Sequence, residues 1–317
     1  MTNSDAAEKK LDQPLWRDYL ELCKPNVVAL MALTAVVGML LAVPGMVPLD
    51  ILLLGNLGIG LCAASASVIN HVVDKKIDLL MKRTENRPVA QGRLKDSHAL
   101  LFSAAMGLLG MWVLIFYVNE LTAWLTLGSL IGYALIYTCF LKRATPQNIV
   151  IGGLAGAAPP LLGWTAVTNE IHGHALLLVL IIFAWTPPHF WALAIHRKDD
   201  YAKVGVPMLP VTHGDKYTRL HILLYTIILF VVSVLPFATK MFGLLYLLGA
   251  VILGLGFLYW AVAMLINKDQ QAPMQAFRYS IIYLMALFII MLADHYILPL
   301  DERLNRIPPP IEMQAIE

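Results

Sequence analysis

Long apolar runs separated by short polar connections dominate this chain. A helix crosses the hydrocarbon core of a membrane, about 30 Å thick, with roughly 20 apolar residues. The pattern predicts an all-α protein that crosses a membrane nine times, with a short first span. The nine runs cover about residues 27–43, 50–69, 99–118, 121–141, 149–168, 174–195, 220–238, 242–266 and 279–298.

The fifth run differs from the others in its backbone chemistry. It reads IVIGGLAGAAPPLLGWTAVT and contains several glycines and two adjacent prolines. Proline has no backbone N–H, and an interrupted helix that faces lipid leaves polar groups unpaired. We therefore expect this helix to bend, and to do so inside a bundle rather than against lipid.

Composition and charge support a membrane protein and predict its orientation. The 317 residues are 59% hydrophobic and 14% charged, whereas soluble domains are about 25% charged. If the connections alternate across the membrane, 20 of the 23 Lys and Arg residues lie on one side. Cytoplasmic loops carry such an excess. We predict a cytoplasmic tail over 1–24, one nine-helix domain over 25–298, and an external tail over 299–317.

A dense group of charges follows the second apolar run. The segment NHVVDKKIDLLMKRTENRP, residues 70–88, holds three acidic residues and, with His71 counted, six basic ones. Asn70, Asp74 and Asp78 recur every four residues, so a helix would place them within an arc of about 80°. An amide and two carboxylates are the oxygen ligands that Mg²⁺ prefers.

The bases that follow these acids suit a phosphate. Lys82, Arg83 and Arg87 come directly after the acids, and guanidinium groups match phosphate oxygens. Acids for a metal and bases for an anion predict a metal–diphosphate site. The alternative is that the bases only anchor a loop at the membrane surface. This alternative does not explain as well why the acids recur every four residues.

A second charged group follows the sixth run, in PPHFWALAIHRKDDYAKVGVPMLP, residues 187–210. His196 and Asp200 are four positions apart, and Asp199 adjoins Asp200. The bases around them are Arg197, Lys198 and Lys203. Two charged loops on one membrane face predict a site that holds a diphosphate and its metal between them. The apolar tail of the same ligand would then extend into the helix bundle.

His189 lies inside the sixth run, directly after Pro187 and Pro188. An ionisable side chain within a membrane span points to function. Neither proline has a backbone N–H, so carbonyls in the preceding turn lose their helical partners. His189 is therefore either a functional group or a histidine that hydrogen-bonds a freed carbonyl.

Three long motifs resemble the haem-farnesylating members of the UbiA superfamily of intramembrane prenyltransferases. They read NxxxDxxxDxxMxRTxxRP, YTxxLKRxTxxNIxIGGxAGAxPPLxGW and PPHFWALAIxRxxDYxxxGVPMLP, and the similarity extends over about residues 20–295. The resemblance implies a UbiA-type nine-helix bundle in the bacterial inner membrane, with a periplasmic C-terminus. It also implies a central cavity that opens near the cytoplasmic side.

The resemblance implies a reaction and its partners. A farnesyl group would pass from farnesyl diphosphate to a vinyl group of haem B, and a hydroxyl from water would complete haem O for haem–copper terminal oxidases. Mg²⁺ is the implied cofactor, and the lipid bilayer is the surrounding phase. No nucleic acid is expected, and direct contact with haem A synthase or the terminal-oxidase assembly stays open.

The resemblance also assigns roles to residues. In the first motif, the superfamily usually has an Asp directly after the Asn, and this chain has His71 instead. In the second acidic motif, His196 occupies the position of the first Asp. Metal binding by the second motif therefore rests on Asp199 and Asp200. The implied catalytic residues are Asn70, Asp74, Asp78 and Asp200. The implied metal ligands are Asp74, Asp78, Asp199 and Asp200. The implied diphosphate-binding residues are Lys24, Lys82, Arg83, Arg87, Lys142, Arg143, Arg197 and Lys203. His189 and His196 are the implied haem-binding residues.

Two other functions remain open on the residues alone. A related prenyltransferase would modify an aromatic quinone precursor, and would show no haem-dependent absorbance. A secondary transporter would spread ionisable residues through its spans toward both faces. The concentration of charge at one boundary favours enzyme chemistry.

Overall fold

The computed structural model describes residues 15–266 and 271–297, and all regular structure in these two ranges is helical. Within these two ranges, eight helices are long and apolar enough to cross a membrane. A ninth span results if the helices Trp16–Leu22 and Pro25–Leu41, bent by 52°, count together. The spans are α1 (Pro25–Leu41), α2 (Leu49–Val73), α3 (Asp96–Tyr117), α4 (Glu120–Ala144), α5 (Asn148–Thr168), α6 (Gly173–His196), α7 (Gly214–Ala238), α8 (Leu244–Ile266) and α9 (Ala272–Ile297).

The predicted all-α, multi-pass architecture is therefore confirmed. Large apolar side chains face outward along the spans, among them Leu101, Phe116 and Ile252, which are 72%, 69% and 68% exposed. Apolar surface on this scale is unusual for a soluble monomer and suits contact with lipid. Residues 1–14 and 298–317, which include most of the predicted N-terminal tail and all of the predicted C-terminal tail, lie outside the described residues. Residues 15–22 of the predicted N-terminal tail form a helix.

The helices pack mainly in chain order. α2 packs along α3, α6 along α7, α7 along α8, and α8 along α9. α9 also contacts both α6 and α1, so the last span meets the first. The largest buried cluster, which includes Trp164, Trp185, Phe257 and Tyr283, joins the later helices to α1 and α5.

Two glycines allow α1 and α5 to cross with their backbones in contact. A Cβ atom at Gly38 would collide with the carbonyl oxygen of Pro160, and one at Gly163 would collide with that of Ala35. Both obstacles are backbone atoms, which cannot rotate away as a side chain can. The close crossing holds the first span against the middle of the bundle.

Two proline pairs have different effects on their helices. The interruption predicted in α5 is found at Ala158, where the segment Asn148–Ala157 ends and Pro159 begins the segment Pro159–Thr168. In contrast, α6 continues as one helix through Pro187 and Pro188. The hydroxyl of Thr186 donates to the carbonyl of Ile182 at 2.8 Å, a local side-chain bond within this stretch.

Candidate active site

Asn70 lies at the centre of a chain of hydrogen bonds at the end of α2. Lys24 Nζ donates to Asn70 Oδ1 at 2.6 Å, and Asn70 Nδ2 donates to Asp74 Oδ2 at 2.8 Å. Asn70 is only 5% exposed. Lys24 lies at the bend before α1 with a left-handed backbone (φ 49°), which is costly for a residue with a side chain. The bend aims the lysine at the amide.

Asp74 forms an ion pair with a base from another span. Lys142, near the end of α4, places its Nζ 2.5 Å from Asp74 Oδ2. Asp74 is 1% exposed, and its Oδ1 has no hydrogen-bond partner among the described residues. A buried carboxylate oxygen without a partner is costly, so this atom is available to a ligand.

A π-helical stretch of α4, Gly132–Leu141, faces Asn70. The Thr138 hydroxyl donates to the carbonyl of Tyr133, five residues earlier, at 2.8 Å. Asn70 Nδ2 lies 3.5 Å from the same hydroxyl oxygen. π-Helical turns occur often at functional sites because they redirect side chains. Thr138 was not among the predicted site residues, and apolar periodicity alone does not reveal this turn.

Asp78 pairs with a different base from Asp74. Its Oδ2 lies 2.7 Å from Arg87 Nη1, and both side chains are largely shielded from solvent. The single helical face predicted for the three motif residues is interrupted, because α2 ends at Val73 and Lys75–Asp78 form a separate turn. The two carboxylates thus belong to two ion pairs.

A cavity of about 630 Å³ opens beside this motif. Its lining includes Lys24, Arg83 and Arg87, three of the predicted diphosphate-binding residues. Trp16 and Leu20, on the helix before α1, supply apolar wall. A basic end and an apolar side match the two parts of a prenyl diphosphate.

The two charged loops approach each other at Arg83. Desolvation lowers the pKa of the Arg83 guanidinium, and Tyr201 and Arg197 from the second loop lie within electrostatic range of it. Tyr201 was not among the predicted site residues. Its electrostatic influence also reaches Tyr137 in the π-helical stretch. Tyr201 therefore lies within electrostatic range of both Arg83 and α4.

The second acidic pair lies on the short helix Lys198–Lys203, where Asp199 is exposed and Asp200 half-buried. Asp200 has a loose ion pair with Lys203, at 3.9 Å, whereas Lys198 pairs with Asp215 at 2.9 Å. The predicted roles of the second loop as a metal and diphosphate site stay predictions. Three further predicted residues, all solvent-exposed, are Lys82, Arg143 and His196.

The oxygen atoms at the end of α2 fit a hard divalent cation. No three His, Cys, Asp or Glu side chains within residues 15–266 and 271–297 form a metal-binding group by themselves. Mg²⁺ commonly takes one or two carboxylates and completes its shell with water and substrate phosphate. The unpartnered Asp74 Oδ1 is an oxygen of this kind. The residues therefore fit Mg²⁺ bound together with a diphosphate.

His189 lies between two aromatic rings in the bundle. It stacks on Trp185 at 4.1 Å and on Phe277 at 4.6 Å, measured between ring centroids. Its Nδ1 lies 2.6 Å from Ser280 Oγ on α9. The hydrogen bond to a freed helix carbonyl, one of the two roles predicted for His189, is therefore not the bond observed. The opposite ring nitrogen, Nε2, remains for a ligand.

Comparison with known proteins identifies the family. The model of the UbiA prenyltransferase family matches residues 31–290. This chain belongs to the UbiA prenyltransferase family. A protein of Saccharophagus degradans named protoheme IX farnesyltransferase is 71% identical over 284 residues, covering 90% of this chain and 94% of that protein. A protein of the same name from Teredinibacter turnerae is 66% identical over 285 residues, covering 90% and 92%.

Solved structures show the same fold at low sequence identity. A digeranylgeranylglyceryl phosphate synthase superposes with a TM-score of 0.77 at 20% identity, covering 89% of this chain and 99% of that one. A UbiA homolog from Archaeoglobus fulgidus bound to GPP and Mg²⁺ has a TM-score of 0.57 at 15% identity, covering 86% and 99%. The UbiA-type bundle predicted from the motifs is confirmed, and the chain is a multi-pass membrane prenyltransferase.

Proposed function

We propose that this prenyltransferase moves a farnesyl group from farnesyl diphosphate to a vinyl group of haem B, with a hydroxyl gained from water, to give haem O. The observation that carries the proposal is the identity of 71% with a protein named protoheme IX farnesyltransferase, over almost the whole chain. Buried carboxylates and bases lie close together beside a cavity, and farnesyl diphosphate requires such groups to bind its metal and its diphosphate.

The bases around the cavity would hold the diphosphate. Lys24, Arg83 and Arg87 line one cavity, and Arg197 approaches it from the second loop. A vinyl carbon is a weak nucleophile, so the farnesyl carbon must become strongly electrophilic as the diphosphate departs. Positive groups placed beforehand stabilise the negative charge that develops on the leaving group. Lys82, Arg143 and Lys203, which are solvent-exposed, would add positive charge for the diphosphate.

Asp74 and Asp78, with Asn70 beside them, would hold Mg²⁺. When bound, the ion supplies Lewis-acid stabilisation of the diphosphate oxygens. Asn70 keeps Asp74 in place through its amide N–H, while Lys142 neutralises the same carboxylate. Asp199 and Asp200 would contribute from the second loop.

His189 would orient the haem. Its ring is held by stacking on both faces and by Ser280 through Nδ1, so its direction is set before a ligand arrives. A neutral imidazole nitrogen is a common ligand of iron. The aromatic rings around it also exclude water, which protects an allylic cation from premature capture. His196 would act near the diphosphate end.

The location follows from charge and family. We propose the bacterial inner membrane, with the N-terminus in the cytoplasm and the C-terminus in the periplasm, because Lys and Arg concentrate on one side. A reporter that is active only in the periplasm, fused after residue 317, should be active. Direct contact with haem A synthase or the terminal-oxidase assembly is a further proposal, which co-purification tests.

The product mass tests the proposed reaction. Purified protein is incubated with haem B, farnesyl diphosphate and Mg²⁺, and the haem fraction is analysed by mass spectrometry. The expected product carries one added farnesyl group and one added hydroxyl group. Unchanged haem B, together with prenylation of an aromatic acid in a parallel reaction, would favour the quinone-precursor alternative. If neither product forms, and vesicles that contain the protein take up a substrate, the transporter alternative would be favoured.

A further inference from the structure

His71 lies buried beside the diphosphate site with both ring nitrogens unpaired. It is 2% exposed, and neither Nδ1 nor Nε2 has a hydrogen-bond partner among the described residues. Buried polar side chains are nearly always hydrogen-bonded, because an unpaired polar atom has lost the water that it binds in the unfolded chain. The ring is thus retained at a cost to stability, as is common for residues that serve function.

The surroundings of this ring are cationic. His71 lies in α2 directly after Asn70, and Lys24 and Arg87 are within electrostatic range of it. The same two bases line the cavity of about 630 Å³. The imidazole therefore lies within electrostatic range of two bases that face the expected position of an anion.

An imidazole in this place suits an anion better than a magnesium ion. Mg²⁺ strongly prefers oxygen ligands, and two neighbouring positive groups disfavour a further cation at the ring. A neutral imidazole offers one N–H donor. A hydrogen bond from such a donor to a charged phosphate oxygen is stronger than one between neutral groups.

We propose that His71 donates a hydrogen bond from its ring to the diphosphate of the prenyl donor, between Lys24 and Arg87. The identity of the anion rests on the proposed function. The N–H of His71 gains its missing partner when the anion is bound, so its contribution appears in binding rather than in folding. It is therefore a diphosphate-binding residue in addition to those that the motifs indicate.

The test compares the affinity for the prenyl donor, farnesyl diphosphate, with the thermal stability of the protein. His71→Leu removes the ring nitrogens, and His71→Asn keeps an N–H donor. Thr126→Val is the matched control, because Thr126 is 3% exposed and its hydroxyl oxygen is also unpaired among the described residues, on α4. The dissociation constants of farnesyl diphosphate and of haem B are measured separately by calorimetry, together with the thermal midpoint.

We expect His71→Leu to weaken farnesyl diphosphate binding about 10- to 100-fold, the range for a hydrogen bond to a charged group. Its haem affinity should stay within about twofold and its thermal midpoint should stay equal or rise. His71→Asn should recover most of the affinity, and Thr126→Val should leave donor binding unchanged. Wild-type donor affinity in His71→Leu would overturn the proposal.

A purely structural role gives a different pattern. If His71→Leu does not fold, His71→Phe keeps the ring volume without an N–H and allows the same comparison; failure of both to fold would also overturn the proposal. Donor binding is measured without haem, so it is independent of the acceptor. A wild-type protein that binds the donor but leaves haem B unmodified would refute the proposed function and leave the His71 comparison valid.

Discussion

Arg87 Nη1 lies 2.7 Å from Asp78 Oδ2, and the two side chains shield each other from solvent at the edge of the cavity. Loss of one partner of a buried ion pair leaves an uncompensated charge, which costs about 3–5 kcal/mol. We expect Arg87→Ala to lower the free energy of unfolding and to weaken farnesyl diphosphate binding. Arg87→Lys should keep most of the stability but little of the affinity, because the planar fork is lost.

The control for this pair is Lys75, which pairs with Asp96 at 2.8 Å in a much more exposed position. Exposed ion pairs contribute only about 0–1 kcal/mol. Lys75→Ala should therefore change neither the thermal midpoint nor donor binding appreciably. Full recovery of donor affinity by Arg87→Lys would show that charge alone matters at position 87.

Asp74 is expected to be required for transfer. Asp74→Asn keeps the shape of the side chain and removes its charge, so Lys142 and Lys24 lose their acidic neighbour. We expect the rate of haem farnesylation to fall about 100-fold or more, the scale for loss of one electrostatic group at a reacting centre. Steady-state rates over a range of Mg²⁺ concentrations provide the measurement. Activity within about twofold of wild type, at unchanged Mg²⁺ dependence, would contradict a metal role for Asp74.

His189 is expected to separate haem binding from donor binding. His189→Phe keeps an aromatic ring between Trp185 and Phe277 and removes the nitrogens. We expect haem affinity to fall about tenfold, equivalent to about 1.4 kcal/mol, with unchanged affinity for farnesyl diphosphate. Haem absorbance titrations and donor calorimetry measure the two constants.

The control for His189 is His221→Phe, at a half-buried histidine that packs on Tyr217 and Trp191. This change should leave both affinities unchanged. Equal weakening of haem and donor binding in His189→Phe, together with a lower thermal midpoint, would indicate a structural role for His189.

Gly163 is expected to be intolerant of any side chain. A Cβ at this position would meet the backbone of Ala35, so Gly163→Ala must separate α1 from α5. Overpacking of this kind costs about 1–3 kcal/mol. A thermal-shift assay in detergent should show a lower midpoint. Gly156→Ala, where nothing lies within 4 Å of an added Cβ, is the control and should have no such effect.

The spans and the first charged motif could be predicted because their signals are local. Run length is sufficient to locate a membrane helix. The orientation indicated by the excess of Lys and Arg stays a prediction. Arg87 and Asp78 are only nine positions apart and already fall within one motif. Their presence in one site follows from the sequence, although their pairing does not.

Other parts of the site depend on how distant helices meet. Lys142 reaches Asp74 across 68 positions, and only the family resemblance pointed to this lysine. Thr138 enters the site through a π-helical stretch, which no simple hydrophobic period indicates. Tyr201 approaches Arg83 because the second loop folds toward the first. The separate ion pairs of Asp74 and Asp78 likewise depend on where α2 ends, a boundary that sequence patterns locate poorly.

The pairing of acids with bases at the end of α2 gives two bases of the site a counter-ion before any ligand binds. Asp74 holds Lys142, and Asp78 holds Arg87, whereas Lys24 donates to the neutral amide of Asn70. A diphosphate that arrives there competes for bases that carboxylates already hold. Neither the base nor the incoming diphosphate then has to pass through a state in which its charge has no counter-ion. Recognition at Lys142 and Arg87 is then an exchange of counter-ions. Selectivity at these two bases depends on which anion holds them better.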